Sequence, residues 1–193
     1  MSVSTIGVVG VIGAGAAGRE IAYAAACGGY LTVLEDVSPE MLDQGVAYIH
    51  KALEEDIVRG AVTRKQREFA LANLTTARRV DVACRQADLL IEAAPEEMEL
   101  KLEIFTIFDR FAKPNAILAS STASLSISEL AAITFRKENC VGMRFCRSTP
   151  KRKLLEIVRA PETSEETVQA CAEAARRMGK EVVIVHEPPG PIA

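Results

Sequence analysis

The sequence predicts an α/β fold: a Rossmann-type, doubly wound, mostly parallel sheet with helices on both faces. Three observations predict it. Short apolar runs alternate along the chain with helical patterns. The run Val11-Ile12-Gly13-Ala14-Gly15-Ala16-Ala17-Gly18 closes the first apolar stretch and opens an Ala-rich helix. An acidic residue, Asp36, stands 18 residues past the last of those glycines, at the end of the next apolar run. Strand, glycine turn, helix, second strand and acid in that order form the context of a dinucleotide-binding fingerprint.

Each element has its own signal. Ile6–Ile12 and Leu31–Leu34 read as buried parallel strands around a helix over Arg19–Cys27. Ser38-Pro39-Glu40 reads as a helix start, and Leu42, Val46, Ile49, Leu53 and Ile57 keep helical spacing to Gly60. Thr63 with Gln66 makes a capping box. Asp88–Ala93 is expected as the third strand, followed by a helix with Leu100, Ile104, Phe105, Phe108 and Phe111 on one face. Ile117–Ser120 is a fourth strand, and Ser126 with Glu129 starts a short helix. Val141–Phe145 and Leu154–Val158 read as strands. Thr163 with Glu166 is expected to cap a helix ending at Met178-Gly179, where Gly179 suits the left-handed position past the end. Val182–Val185 is the last strand.

The fingerprint assigns physical tasks. Gly13 turns the chain tightly, Gly15 lets a pyrophosphate approach the backbone, and Gly18 lets the helix pack against the sheet. Together with Ala16 and Ala17 they open a helix N-terminus whose free N–H groups and partial positive charge suit phosphates. Asp36 suits the ribose hydroxyls of NAD, and its charge disfavours the extra phosphate of NADP. NAD is the expected cofactor.

Composition narrows the partners. The net charge is −3 with no broad basic field, so nucleic acid is not an expected partner. No apolar run reaches the roughly 20 residues a bilayer requires, and Met1–Thr5 lacks the basic start of a signal peptide, so no membrane is expected. Five scattered cysteines without a C-x-x-C fit free thiols in a reducing, cytoplasmic setting. With His50 and His186 the only histidines, no metal cluster forms in the sequence.

Beyond the glycines, five segments match in order the NAD-binding domain of the 3-hydroxyacyl-CoA dehydrogenases. They are Val11–Gly18; Asp36 with Ser38-Pro39-Glu40; Asp88–Ala93 with Glu96 and Lys101; Ala116–Ile127; and Gly142–Glu156. The chain resembles that family over nearly its whole length. The resemblance implies NAD, a small-molecule substrate of the acyl-CoA type, fatty-acid metabolism, and hydride transfer between a 3-hydroxyacyl-CoA and NAD. It places Glu96 and Lys101 at the nicotinamide ribose and Ser121 where the family has an asparagine near the nicotinamide. It also implies a helical C-terminal domain that supplies a homodimer interface. Residues 1–187 are then the NAD-binding domain. Residues 188–193, with Pro188-Pro189-Gly190-Pro191, are expected to begin the hinge to that further domain, which is absent from this chain.

The same resemblance exposes departures. The family's serine position falls on Ala123, with Ser124 beside it, and the histidine position falls on Arg144. The family's acidic partner of that histidine is retained as Glu156. An arginine stays protonated and cannot serve as a general base. Arg144 is suited to stabilise an alkoxide, to bind a carboxylate or phosphate, or to pair with Glu156, and the ion pair is the favoured expectation. His50, His186 and Cys146 are weak substitutes for the missing base. The basic run Arg147, Lys151, Arg152 and Lys153 reads either as a contact for CoA phosphates or as a solvated loop. Three functions remain open: a dehydrogenase of the family type, a non-catalytic NAD(H)-binding sensor or assembly module, and a dehydrogenase of a free 3-hydroxy acid whose carboxylate Arg144 holds.

Overall fold

Eight strands form one sheet in this computed structural model, which describes residues 6–146 and 153–187. The strands are β1 (Val8–Ile12), β2 (Leu31–Glu35), β3 (Leu74–Ala77), β4 (Leu89–Glu92), β5 (Ile117–Ser120), β6 (Cys140–Phe145), β7 (Leu154–Arg159) and β8 (Glu181–His186). Their order across the sheet is β3-β2-β1-β4-β5-β6-β7-β8. Strands β1 to β6 run parallel, β7 is antiparallel to β6, and β8 is parallel to β7.

Seven helices among the described residues connect them: α1 (Ala16–Cys27), α2 (Pro39–Val58), α3 (Arg64–Ala72), α4 (Val80–Gln86), α5 (Met98–Phe111), α6 (Ile127–Ala132) and α7 (Glu165–Arg177). Two buried apolar clusters lie on opposite faces of the sheet. One gathers Ile21, Leu34, Ile49, Leu53, Ile91 and Cys171; the other gathers Val33, Leu90, Phe105, Phe108, Leu118 and Leu130. Neighbouring positions on a strand point to opposite faces, so Val33 and Leu34 divide between the clusters. Strands buried on both sides explain the continuous apolar runs of the sequence.

The winding direction reverses at β1. The chain first builds outward through β2 and β3, then returns to the other side of β1 with β4, β5 and β6. Ligands of such sheets bind at the carboxyl ends of the strands where the order reverses, here between β1 and β4. The glycine turn, Asp36, the segment after β4 and the segment after β5 all lie at that edge.

Several expected boundaries change. Helix α1 begins at Ala16, before Arg19, because Gly15 is its N-cap. The strand expected third is the fourth: β3 and helix α4 precede it. Strand β3 carries two exposed threonines, Thr75 and Thr76, and sits at the sheet edge, so it lacks the apolar signature of its neighbours. Helix α7 is capped by Ser164, whose hydroxyl accepts from Thr167 N at 3.1 Å. Thr163, expected as the cap, is buried and donates instead to Cys140 O at 2.7 Å, which ties the α7 start to β6. The capping box of Thr63 and Gln66 forms as expected, and Gly179 takes a φ of 74° just past α7.

Helix α1 sets the tightest constraint. A Cβ at Gly18 would lie 1.7 Å from Gly13 O, and Gly13 itself holds a φ of +100°. Gly18→Ala therefore forces α1 away from the turn. Urea unfolding of G18A is expected to show a loss of at least about 1–3 kcal/mol, the ordinary cost of overpacking, because backbone rather than a mobile side chain must yield.

Candidate functional site

A cleft of about 630 Å³ opens at the reversal point. Gly13, Gly15, Ala16 and Ala17 form one wall, Asp36 and Val37 a second, and Ala93-Ala94-Pro95 a third. A Cβ at Gly15 would meet nothing within 4 Å, so the bare backbone there fronts open space. The helix N-terminus behind it offers free N–H groups without a side-chain cap. The residues fit a dinucleotide: a side-chain-free phosphate cradle, an acid for the ribose and an apolar slot for a flat base. That slot is lined by Ile12, Met41, Val80, Leu100, Ile104 and Ile107.

Asp36 is fixed by the backbone it faces. Its Oδ2 accepts from Ala14 N and its Oδ1 from Ser38 N, each at 2.9 Å. One carboxylate thus ties the glycine turn to the entry of α2.

The residue before it was missed in the sequence. Glu35 ends β2, is 2% exposed, lines the cleft, and its Oε1 is buried without a hydrogen-bond partner. Burial raises its acid to about 7 from an ordinary 4.5, and the charge of Asp36 pushes the same way. A single acid at a strand end reads as the fingerprint acid; Glu35-Asp36 presents two, and only alternation along β2 shows that the first points into the sheet layer.

Glu96 and Lys101 are brought together after β4, through a buried network. Lys101 is 1% exposed, and its Nζ donates to Glu92 Oε1 at 2.7 Å, Glu92 Oε2 at 2.9 Å and Ala94 O at 3.2 Å. Ser120 Oγ donates to Glu92 Oε2 at 2.6 Å. Glu96 Oε2 lies 3.5 Å from the same Nζ. Its Oε1 accepts from Thr122 Oγ1 at 2.5 Å, Ala123 N at 2.9 Å and Ser124 N at 3.0 Å. Burial works to raise the Glu96 acid, but those donors and Lys101 outweigh it and hold it below its ordinary value. Glu96 thereby shapes the turn that carries Ala123 and Ser124, and the Ser124 hydroxyl also donates to it at 3.2 Å. Ser121 sits at the carboxyl end of β5, its backbone N donating to Glu92 O at 2.8 Å.

Arg144 and Glu156 stand directly opposite each other across β6 and β7. The expected ion pair between them does not form: no contact within 4.0 Å joins the two. Arg144 Nε donates instead to Thr122 O at 3.0 Å, drawing the guanidinium toward the turn after β5. Direct opposition in a strand pair sets the spacing of the backbones but does not by itself decide which acceptor a long side chain reaches. His186 ends β8, and His50 lies on α2; both are exposed and away from the cleft. Of the basic run, Arg147, Lys151 and Arg152 lie outside the described residues, as does Pro188–Pro191. No helix among the described residues is long and apolar enough to cross a membrane.

Two measurements follow from these buried acids. Lys101→Met leaves Glu92 as an unpaired buried charge and is expected to lose about 3–5 kcal/mol in urea unfolding, while adding Glu92→Gln to it recovers most of that loss. Glu35 acts with pH in the opposite sense to a paired carboxylate. Its raised acid stabilises the fold fully below about pH 4.5, and that contribution is lost as pH rises toward about 7. Glu35→Gln is expected to remove this decline, so that the variant gains on the parent by up to about 3 kcal/mol at pH 8.

Comparison with known proteins agrees with the geometry. Residues 8–188 match the family profile "3-hydroxyacyl-CoA dehydrogenase, NAD binding domain". A probable 3-hydroxybutyryl-CoA dehydrogenase of Bacillus subtilis is 38% identical over 93% of this chain and 62% of its own length. A 3-hydroxybutyryl-CoA dehydrogenase of Bradyrhizobium diazoefficiens is 38% identical over 94% of this chain and 61% of its own. The chain thus spans about three-fifths of these curated relatives. The crystal structure of 3-hydroxybutyryl-CoA dehydrogenase from Escherichia coli superposes with a TM-score of 0.89 at 34% identity, over 96% of this chain and 39% of that one. With the cleft, the glycine turn and the sheet order in agreement, the chain belongs to the NAD-binding domain family of the 3-hydroxyacyl-CoA dehydrogenases.

Proposed function

We propose that this chain binds NAD(H) as the cofactor domain of an oxidoreductase related to the 3-hydroxyacyl-CoA dehydrogenases, and that it lacks their proton-transfer base. Bound NAD supplies the hydride acceptor or donor. Gly13, Gly15, Ala16, Ala17 and the α1 N-terminus face its pyrophosphate, Asp36 its adenine ribose, and Glu96 with Ser121 the nicotinamide side. The Lys101 ammonium acts from beneath by fixing Glu96. What supports the reading is the side-chain-free turn at Gly15 and the acid Asp36 sharing one cleft, together with an arginine, anchored on Thr122 O, where the resemblance expects the base.

General-base help is typically worth ~10²–10⁴ in rate. An arginine forgoes it. Reduction of acetoacetyl-CoA by NADH is therefore expected to run at least a hundredfold below the rate reached after Ala123→Ser with Arg144→His. Full family-like turnover by the parent chain, or a rate lowered by that double change, would sink the reading. Fluorescence titration is expected to give micromolar NADH binding, with NADPH at least tenfold weaker because Asp36 repels its extra phosphate.

A second reading is favoured by one feature of Arg144. With Nε on Thr122 O, its terminal amino groups have no partner among the described residues. Such a fork suits a carboxylate in two parallel bonds. A free 3-hydroxy acid then becomes the substrate. NADH oxidation by acetoacetate exceeding that by acetoacetyl-CoA is the expected sign, and equal, negligible rates with both would remove it.

A further inference from the structure

We propose that Glu35 reads the adenine base of the dinucleotide from the floor of the cleft, pairing with the base edge through two hydrogen bonds. The inference rests on the reading that the adenine half of NAD lies in this cleft, between the glycine turn and the apolar slot.

Geometry places Glu35 for this. It ends β2 one residue before Asp36, lines the same cleft, and shares it with Val80 of α4 and Leu100, Ile104 and Ile107 of α5. Those apolar side chains suit the flat faces of a base, and none of them offers a polar atom to its edge. Glu35 does, and its Oε1 is sealed from water with no protein partner. A buried polar atom without a partner is costly, and a ligand that pairs with it returns that cost as affinity.

The chemistry also matches. The adenine edge presents an amino donor beside a ring-nitrogen acceptor, a pattern that a side-chain amide meets with two bonds. A neutral carboxylic acid has the same donor and acceptor layout as that amide. An ionised carboxylate accepts only, and would set its charge against the ring nitrogen. Burial and Asp36 hold Glu35 neutral until about pH 7. The other titratable groups packed near it are the Cys84 thiol of α4, itself pushed up to about 12, and Glu103 at the outer wall on α5. The Cys84 thiol stays protonated between pH 6 and 8 and so does not mimic loss of a proton from Glu35. No cation lies within 4.0 Å of Glu35 among the described residues to hold it ionised.

Cofactor affinity should then depend on pH through this acid. If only the neutral form binds, the competent fraction with an acid at about 7 falls about tenfold from pH 6 to pH 8. Calorimetric titration of the chain with NADH at both pH values, each in two buffers of different ionisation enthalpy, reads affinity and proton uptake together. The expected result is about a tenfold weaker Kd at pH 8, with close to one proton taken up per NADH. Glu35→Gln keeps donor and acceptor and is expected to bind alike at both pH values without proton uptake. Glu35→Ala is expected to bind more weakly than Glu35→Gln at either pH. Affinity and proton count flat with pH in the parent chain overturn the proposal, as does a pH dependence that survives in Glu35→Gln. Absence of NADH binding at every pH overturns it together with the placement of the cofactor.

Discussion

The approach of α1 to the backbone of Gly13 is the constraint on which the site depends. Only a residue without a Cβ lets the first turn of the helix lie against the carbonyl it has just left. That contact aims the helix N-terminus across the carboxyl ends of β1 and β4, where the winding of the sheet reverses. It also leaves Gly15 fronting the cleft and brings Ala14 N onto the Asp36 carboxylate. Asp36, the glycine turn and the α1 N-terminus are therefore one unit, set by two glycines and one hydrogen bond.

The opposite wall is held by charge instead of close packing. Glu92, Lys101 and Ser120 are buried within the sheet and helix layers, and they satisfy one another. A buried ion pair of this kind contributes little net stability against an apolar replacement, yet removing one partner is costly. Its use here is positional. Through Lys101 it steadies Glu96, and through Glu96 it shapes the turn of Thr122, Ala123 and Ser124. Arg144 then takes the Thr122 carbonyl. The turn after β5 and the Arg144 guanidinium thus hang on a chain of polar contacts running from the sheet interior outward.

Legibility in the sequence follows this division. Elements with strong periodic or capping signals were readable: the glycine turn, α2 behind Ser38 and Pro39, the Thr63–Gln66 box, and the apolar face of α5. Strand β3 was not, because an edge strand with Thr75 and Thr76 exposed has no apolar run to announce it. Helix α4 was not, because it is short and its N-cap Arg79 supplies no side-chain bond. Asp36 stood out by its distance from the glycines. Glu35 did not, since its importance comes from burial and a missing partner, which no one-dimensional pattern records. The Arg144–Glu156 contact was wrongly expected because the resemblance pairs those two positions, while the competing Thr122 carbonyl belongs to another strand end that no such pairing names.

The two sides of the site also differ in how freely they can change. At the glycine turn, backbone atoms fill the space, so a substitution must move the main chain. At Arg144 and Ala123 the side chains are partly or fully exposed at strand and turn ends, where a different residue changes chemistry without disturbing packing. A fold built this way can keep its cofactor while its substrate chemistry drifts. Arg144 stands on such a replaceable position: its guanidinium rests on the Thr122 carbonyl, and none of the residues lining the cleft depends on that contact.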